Sequence, residues 1–545
     1  MTSRIPAAIL IAASLAACAS SIANDAPRST PAQTPARPKL IVQLVVDQFR
    51  ADYVPRYRAQ WTKGLHRLLS EGAHFTEARY PYTGTITCAG HASIGTGTVP
   101  SVHGMVLNEW WDREMRLRIH CPNDPLVTPI GFTKPATTRY SGRRMLTQTF
   151  ADRLDASQAP DAGRVVTMAL KPRSAIGLAG HGGDAVVWFE GGTFATSSAF
   201  GQPAWLGEWL KAHPVEASTG REWTRARAAA DYIGTDDDAA AKPPQGWTAR
   251  FPHKLSDTGT ADALFYDRWQ RSPFSDAYLA DMAMAAVDAM ALGRGPGIDY
   301  LGVSFSGLDL VGHKFGPGSH EVQDMLIGVD EQIGRLLAHL DTAVGAGNYV
   351  VALSSDHGVG EIPELLGAKG GRLVRGTTAR VIEDVLDKAW GADAKHVEYD
   401  LYTDFYLTEA TRARLASDES AVAALRAAIE ADPAVLRMMT ARDFERAPFS
   451  SNPMISAARL SYYPGRSGDI SVLLRENYTS STDATSHGTY YDYDRRVPVI
   501  LFGSPFKAGN FEGPASPLDI AATWSRLTGV ALDRPHGRSL DAAVK

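Results

Sequence analysis

The chain has 545 residues, 44% of them hydrophobic and 21% charged, with a formal net charge of −5. That balance belongs to a globular protein with a large core, and it excludes a disordered chain. No polybasic run is present, which argues against nucleic acid or an anionic membrane surface as partner, so any attraction for an anionic substrate must be local.

In chain order, Arg4 precedes the apolar run 5–17, too short to span a bilayer and suited to a signal h-region. Cleavage after Ala23 makes 1–23 the signal segment. Leu15-Ala16-Ala17-Cys18 also resembles a lipoprotein box that would leave Cys18 as a lipid anchor. Either way the protein is expected to be exported, periplasmic or extracellular. Residues 24–39, rich in Pro, Thr and Ala, suit a flexible leader, and 40–545 a single catalytic domain. Short, nearly continuous β-branched runs predict buried strands at 40–46, 165–170, 185–189, 300–305, 349–353 and 497–502. Helical periodicity fits 322–340 and 518–527. The alternation predicts an α/β sandwich on a mainly parallel sheet. Regions 191–284 and 371–484 break the rhythm, are richer in loops, Trp and Tyr, and are expected to be cap insertions over the site.

Chemistry-bearing residues follow the strands. Asp47 ends the first run, Asp309 and His313 follow another, and Asp356-His357 a third, the place where open α/β sheets bind ligands. His487 sits in a loop. Three Asp and three His suit two zinc ions, and a metal pair about 4 Å apart clamps the entering and leaving oxygens of phosphoryl transfer. Thr87, near Gly90 at a helix start, is the candidate nucleophile; a helix-capping Thr is the plain alternative. In an oxidising compartment Cys88 and Cys121 can form a disulfide, the alternative being two buried thiols.

Together these segments resemble the alkaline phosphatase superfamily, in its branch of bacterial alkaline phosphatases with a Thr nucleophile. The carriers are Val-Val-Asp47-Gln, Thr87-x-x-Gly90-His91, Ser306-x-x-Asp309-x-x-x-His313, Ser355-Asp356-His357-Gly358 and His487-Gly488, with Pro517-Leu-Asp519 and Gly537-Arg-Ser-Leu near the end. The resemblance implies a three-layer sandwich and two zinc ions, one held by Asp309, His313 and His487, the other by Asp47, Asp356 and His357 with Thr87. It implies a phosphothreonine intermediate at Thr87, with His91, His103 and Ser355 in supporting or turn roles. It also assigns Asn108, Lys171 and Arg173 as a phosphate clamp, which favours phosphate monoesters as substrates. Nucleotide pyrophosphatase/phosphodiesterases share the metals and nucleophile and are the competing reading. Cys88-Ala-Gly-His lacks the sulfatase pattern, and a signal segment disfavours a cytosolic phosphomutase. A monomer is expected.

Overall fold

The computed structural model describes residues 37–545, except 235, 237, 393 and 447–451. The signal segment, Cys18 and most of the leader lie outside the described residues. Strand β1 (Leu40–Val46) shows how the sheet is built, because all seven of its residues are buried. Leu40, Val42, Leu44 and Val46 point into one apolar cluster, while Ile41 and Val45 point to the opposite face. Period-two alternation with both faces apolar is what a strand sandwiched between helix layers requires. Each such side chain contributes roughly 1.5–3 kcal/mol by leaving water.

Nine further strands complete the sheet: β2 (Ala73–Phe75), β3 (Pro129–Gly131), β4 (Val165–Ala169), β5 (Ala185–Glu190), β6 (Thr193–Ser197), β7 (Asp299–Phe305), β8 (Tyr349–Ser354), β9 (Val499–Gly503) and β10 (Gly509–Phe511). Their order is β10-β2-β9-β8-β1-β7-β4-β5-β6-β3. The central run β8-β1-β7-β4-β5 is parallel throughout. The 497–502 run, expected as one more strand of this sheet, is β9 and pairs antiparallel with β8. An apolar run states burial but not direction, so periodicity alone could not show this.

Seven helices matter for the site: α1 (Thr87–Thr96), α2 (Pro172–Ala179), α3 (Pro273–Ala289), α4 (Gly307–Phe315), α5 (His320–Leu340), α6 (Arg375–Trp390) and α7 (Asp519–Thr528). Helices α3 and α5 cover one face of the sheet, through Leu279, Ala283, Val322 and Val329. Ile520 and Trp524 of α7 cover the other. On that second face Val45 meets Ile94 of α1 and Leu178 of α2. Helices α1 and α2 approach closely because a Cβ on Gly95 would stand 2.3 Å from the Gly177 carbonyl oxygen.

Between residues 191 and 284, Phe194, Leu206, Trp223, Phe265 and Trp269 join the main core cluster. Between 371 and 484 a separate four-stranded antiparallel sheet forms, in the order Val397–Leu401, Asp404–Leu407, Ile470–Leu474, Val435–Thr440. It has its own core with α6, including Ile382, Leu386, Phe405 and Leu425.

Candidate active site

The parallel register brings the chemistry together. Val46 lies opposite Phe305, and Val45 opposite Ser354, so β1, β7 and β8 end level with one another. Asp47 follows β1, Asp309 falls in the first turn of α4 after β7, and Asp356-His357 follows β8. Lys171, two residues past β4, is the N-cap residue of α2. Asp47, Asp309, Asp356 and His357 are all at most 3% exposed.

Three imidazoles are oriented by main-chain carbonyls. Nδ1 of His313 donates to Thr485 O at 2.9 Å, that of His357 to Gly358 O at 2.9 Å, and that of His487 to Thr85 O at 2.7 Å. A carbonyl only accepts, so each neutral ring presents a bare Nε2 lone pair, the arrangement seen for metal-ligating histidines. The His357 Nε2 lies 3.2 Å from Asp356 Oδ2 and 3.6 Å from Asp47 Oδ1. The His313 Nε2 is 3.2 Å, and the His487 Nε2 3.8 Å, from Asp309 Oδ1. Ligand atoms of Asp309, His357 and His487, and those of Asp47, Asp356 and His357, fall within 4.8 Å of one another. His357 thus stands beside both groups, and its ring stacks on His487 with centroids 3.4 Å apart. Asp47 Oδ1 and Asp356 Oδ2 are buried with no hydrogen-bond partner among the described residues. Convergent lone pairs and unsatisfied carboxylate oxygens fit divalent cations.

The electrostatics agree. Burial, reinforced by the Asp309 and Asp356 carboxylates, pushes Asp47 well above the usual range. Burial also opposes the charge on Asp309, but Lys171 and His313 outweigh it and hold that carboxyl low. For His487, burial and the neighbouring His357 and His313 depress the pKa and keep the ring neutral. Such a knot of carboxylates around the neutral rings of His357 and His487 is stabilised by positive charge. Here Lys171 supplies it: its Nζ donates to Asp47 Oδ2 at 2.6 Å and to Asp309 Oδ2.

Thr87 is the first residue of α1, not its cap. The N-cap position belongs to Ile86, which is extended and makes no side-chain cap. That leaves the Thr87 hydroxyl free of a capping role, 3.3 Å from His357 Nε2. Behind it, His91 donates from Nδ1 to Thr87 O at 3.0 Å and accepts from Ser304 Oγ at 2.8 Å. Ser355 Oγ accepts from Phe49 N at 2.8 Å and so braces the turn after β1. His103 faces Ser93 in the interior and touches none of these groups. Cys88 and Cys121 form a disulfide with Cα atoms 6.7 Å apart, closing 33 positions of chain. A loop of that size lowers unfolded-state entropy by the equivalent of about 4 kcal/mol.

Asn108 accepts from Cys88 N at 2.9 Å through its amide oxygen, which leaves its NH2 group to donate elsewhere. Arg173 lies in the first turn of α2, and its Nε is buried without a partner among the described residues.

Two residues here were not singled out from the sequence. Gln48 adopts φ 69° and donates from Nε2 to Asp309 Oδ1 at 2.7 Å, tying the β1 turn to α4. Tyr402, with φ 55°, occupies the first position of the two-residue turn between Leu401 and Asp404, where glycine is the usual residue. Burial raises the pKa of its phenol, while Arg173 and the Asn108 side chain pull the other way and so mark its neighbours. A cavity of about 440 Å³ is lined by Ile86, Asn108, His313, Tyr402 and His487. The only advance signal for Tyr402 was the Tyr-rich composition of its region.

The profile of the family described as Type I phosphodiesterase / nucleotide pyrophosphatase matches residues 41–495. The chain belongs to this family. It is 30% identical to the alkaline phosphatase PafA of Elizabethkingia meningoseptica over 513 residues, covering 90% of this chain and 91% of that one. It is 28% identical to the alkaline phosphatase PhoV of Synechococcus elongatus, covering 92% and 91%. A crystal structure of PafA superposes with a TM-score of 0.85 at 27% identity, covering 93% of this chain and 99% of that one. Family membership makes the protein a phosphoric ester hydrolase of the alkaline phosphatase superfamily that uses divalent metal. Its fold is alkaline-phosphatase-like, and among the described residues no helix is long and apolar enough to cross a membrane.

Proposed function

We propose that this chain is an exported alkaline phosphatase that moves the phosphoryl group of a monoester first to Thr87 and then to water, on a site for two zinc ions. The observation carrying the reading is Lys171 beside the convergent ligands, with Arg173 two residues on in the first turn of α2 and its Nε buried and unpaired among the described residues. A monoester dianion carries more charge than a diester, and fixed positive donors aimed at its oxygens select for it. The names of PafA and PhoV support the same reading.

Asp309, His313 and His487 would hold one ion, and Asp47, Asp356 and His357 with Thr87 the other. Bound there, the pair would supply Lewis-acid charge to the attacking and leaving oxygens. Thr87 Oγ1 attacks phosphorus from the first turn of α1, where unpaired N–H groups favour negative charge. The ester oxygen departs with the alcohol, and phosphothreonine remains. Water then attacks phosphorus, phosphate leaves, and Thr87 is restored. Asn108 donates from its NH2 group, while Lys171 and Arg173 neutralise the non-bridging oxygens. The nucleotide pyrophosphatase reading uses the same nucleophile and ligands, so substrate comparison separates the two.

On zinc-loaded protein, Lys171→Ala and Arg173→Ala should each reduce monoester kcat/KM by roughly 100-fold or more, and diester kcat/KM by far less. Equal losses on both substrates defeat the clamp. Thr87→Ala should abolish turnover with zinc still bound; an intact rate removes the covalent route.

A further inference from the structure

The lobe formed by residues 371–484 places a buried histidine beside two carboxylates in a place that phosphoryl transfer does not use. Glu383 and Asp387 stand four residues apart on α6, which puts both carboxylates on one face of the helix. The chain leaves the helix at Gly391 and returns with His396 just before the strand Val397–Leu401. Glu383 draws this return segment in, because its carboxylate accepts from His396 N at 2.9 Å and Val397 N at 2.8 Å.

His396 is 3% exposed. Its Nδ1 is engaged by Thr411 Oγ1 at 2.9 Å, and Trp390 stands edge-on to its ring at 5.6 Å, so the ring orientation is set. Its Nε2 lies 3.2 Å from Asp387 Oδ1, close enough for an ion pair. Yet neither atom has a hydrogen-bond partner among the described residues, so the contact is off the N–H axis. One ligand atom from each of Glu383, Asp387 and His396 lies within 4.8 Å of the other two.

The spacing fits a shared metal as well as an ion pair, and the off-axis contact favours the metal. Two atoms each about 2.0–2.1 Å from a tetrahedral zinc stand about 3.3–3.4 Å apart. The 3.2 Å separation is close to that edge, and the same 3.2 Å separates Asp356 Oδ2 from His357 Nε2 and Asp309 Oδ1 from His313 Nε2. An imidazole nitrogen with two carboxylate oxygens is a zinc-type donor set, and the negative charge of the carboxylates calls for a divalent ion. Asp387 is 34% exposed, which gives an ion a way in.

We propose that Glu383, Asp387 and His396 form a third zinc site, completed by water, that pins α6 to the strand leading to Tyr402. The ion's role there is structural.

The test is metal content of the full chain after zinc loading and desalting, measured by mass spectrometry. Three zinc ions per chain are expected in the wild type and two in His396→Ala and Asp387→Asn. Asp387→Asn, a near-isosteric change at a partly exposed position, carries the test should His396→Ala not fold. In crystals, data at the zinc edge should show an anomalous peak beside His396 Nε2. Two ions in the wild type, three in both variants, or no such peak would overturn the proposal.

Discussion

Gly90→Ala should disable the enzyme while changing one methyl group. Gly90 lies one turn beyond Thr87 in α1, and a Cβ there would stand 2.3 Å from the Asp356 carbonyl oxygen and 2.6 Å from the Asp356 Cβ. Ordinary contact begins at 3.4 Å, so α1 and the Asp356 turn must separate by about 1 Å. Both sides of this contact carry chemistry, since Thr87 starts α1 and Asp356-His357 lies across from it. A displacement of about 1 Å at reacting groups lowers rates by about 100-fold, the equivalent of about 2.7 kcal/mol in the barrier. Overpacking of this kind also lowers stability by about 1–3 kcal/mol. The assay is kcat/KM on a chromogenic phosphate monoester, with thermal midpoints recorded alongside. Gly207→Ala serves as control, because Gly207 is helical and its added Cβ would meet nothing within 4 Å. Wild-type activity in Gly90→Ala would refute the claim that this contact sets the position of Thr87.

Two other outcomes follow from buried groups. His103 is fully buried and held neutral: Nδ1 accepts from Met105 N at 3.1 Å, so Nε2 donates to Ser93 Oγ at 3.0 Å. Burial, aided by Arg466 and His536, pushes its pKa down to about 3. Between pH 6.5 and 3 the unfolded chain therefore binds a proton that the folded chain refuses, and stability falls with falling pH by about 1.4 kcal/mol per pH unit. Urea unfolding at pH 7 and pH 5 should show His103→Gln losing about 2 kcal/mol less than the wild type over that interval; equal losses would exclude His103 as the source. Tyr402→Phe keeps the ring but removes the hydroxyl beside Asn108. Monoester kcat/KM should fall up to about tenfold at unchanged thermal midpoint, the worth of one neutral hydrogen bond; an unchanged kcat/KM would leave Tyr402 with a packing role alone.

How far the site could be read in advance depended on what positions each residue. Asp47, Asp309 and Asp356-His357 stand just past β-branched runs, and a strand end in an α/β sheet is a place that sequence can mark. His487 is different: its loop turns at Gly488 with φ 107° and is held by Thr85, so nothing local announces it. Lys171 and Arg173 were visible only through family resemblance, because Lys-x-Arg is common on solvated surfaces. Gln48 was read only as part of the Val-Val-Asp47-Gln motif, without a role, and Tyr402 not at all, because a positive φ at a non-glycine residue is imposed by tertiary contacts, which local preference does not encode. The direction of β9 escaped for a related reason, since pairing partners lie far apart in the chain.

That separation has a consequence for how activity is acquired. The candidate ligands begin at Asp47 and end at His487, and the strands that align them come from positions 40, 165, 299 and 349. Such non-local pairing folds slowly, because chain closure must precede the contacts that reward it. Neither ligand group joins Thr87 until chain segments more than 300 positions apart, Asp47 and His357 or Thr87 and His487, have met. During refolding, turnover should therefore emerge late and together with closure of the central sheet, making catalysis itself a reporter of the last step in folding.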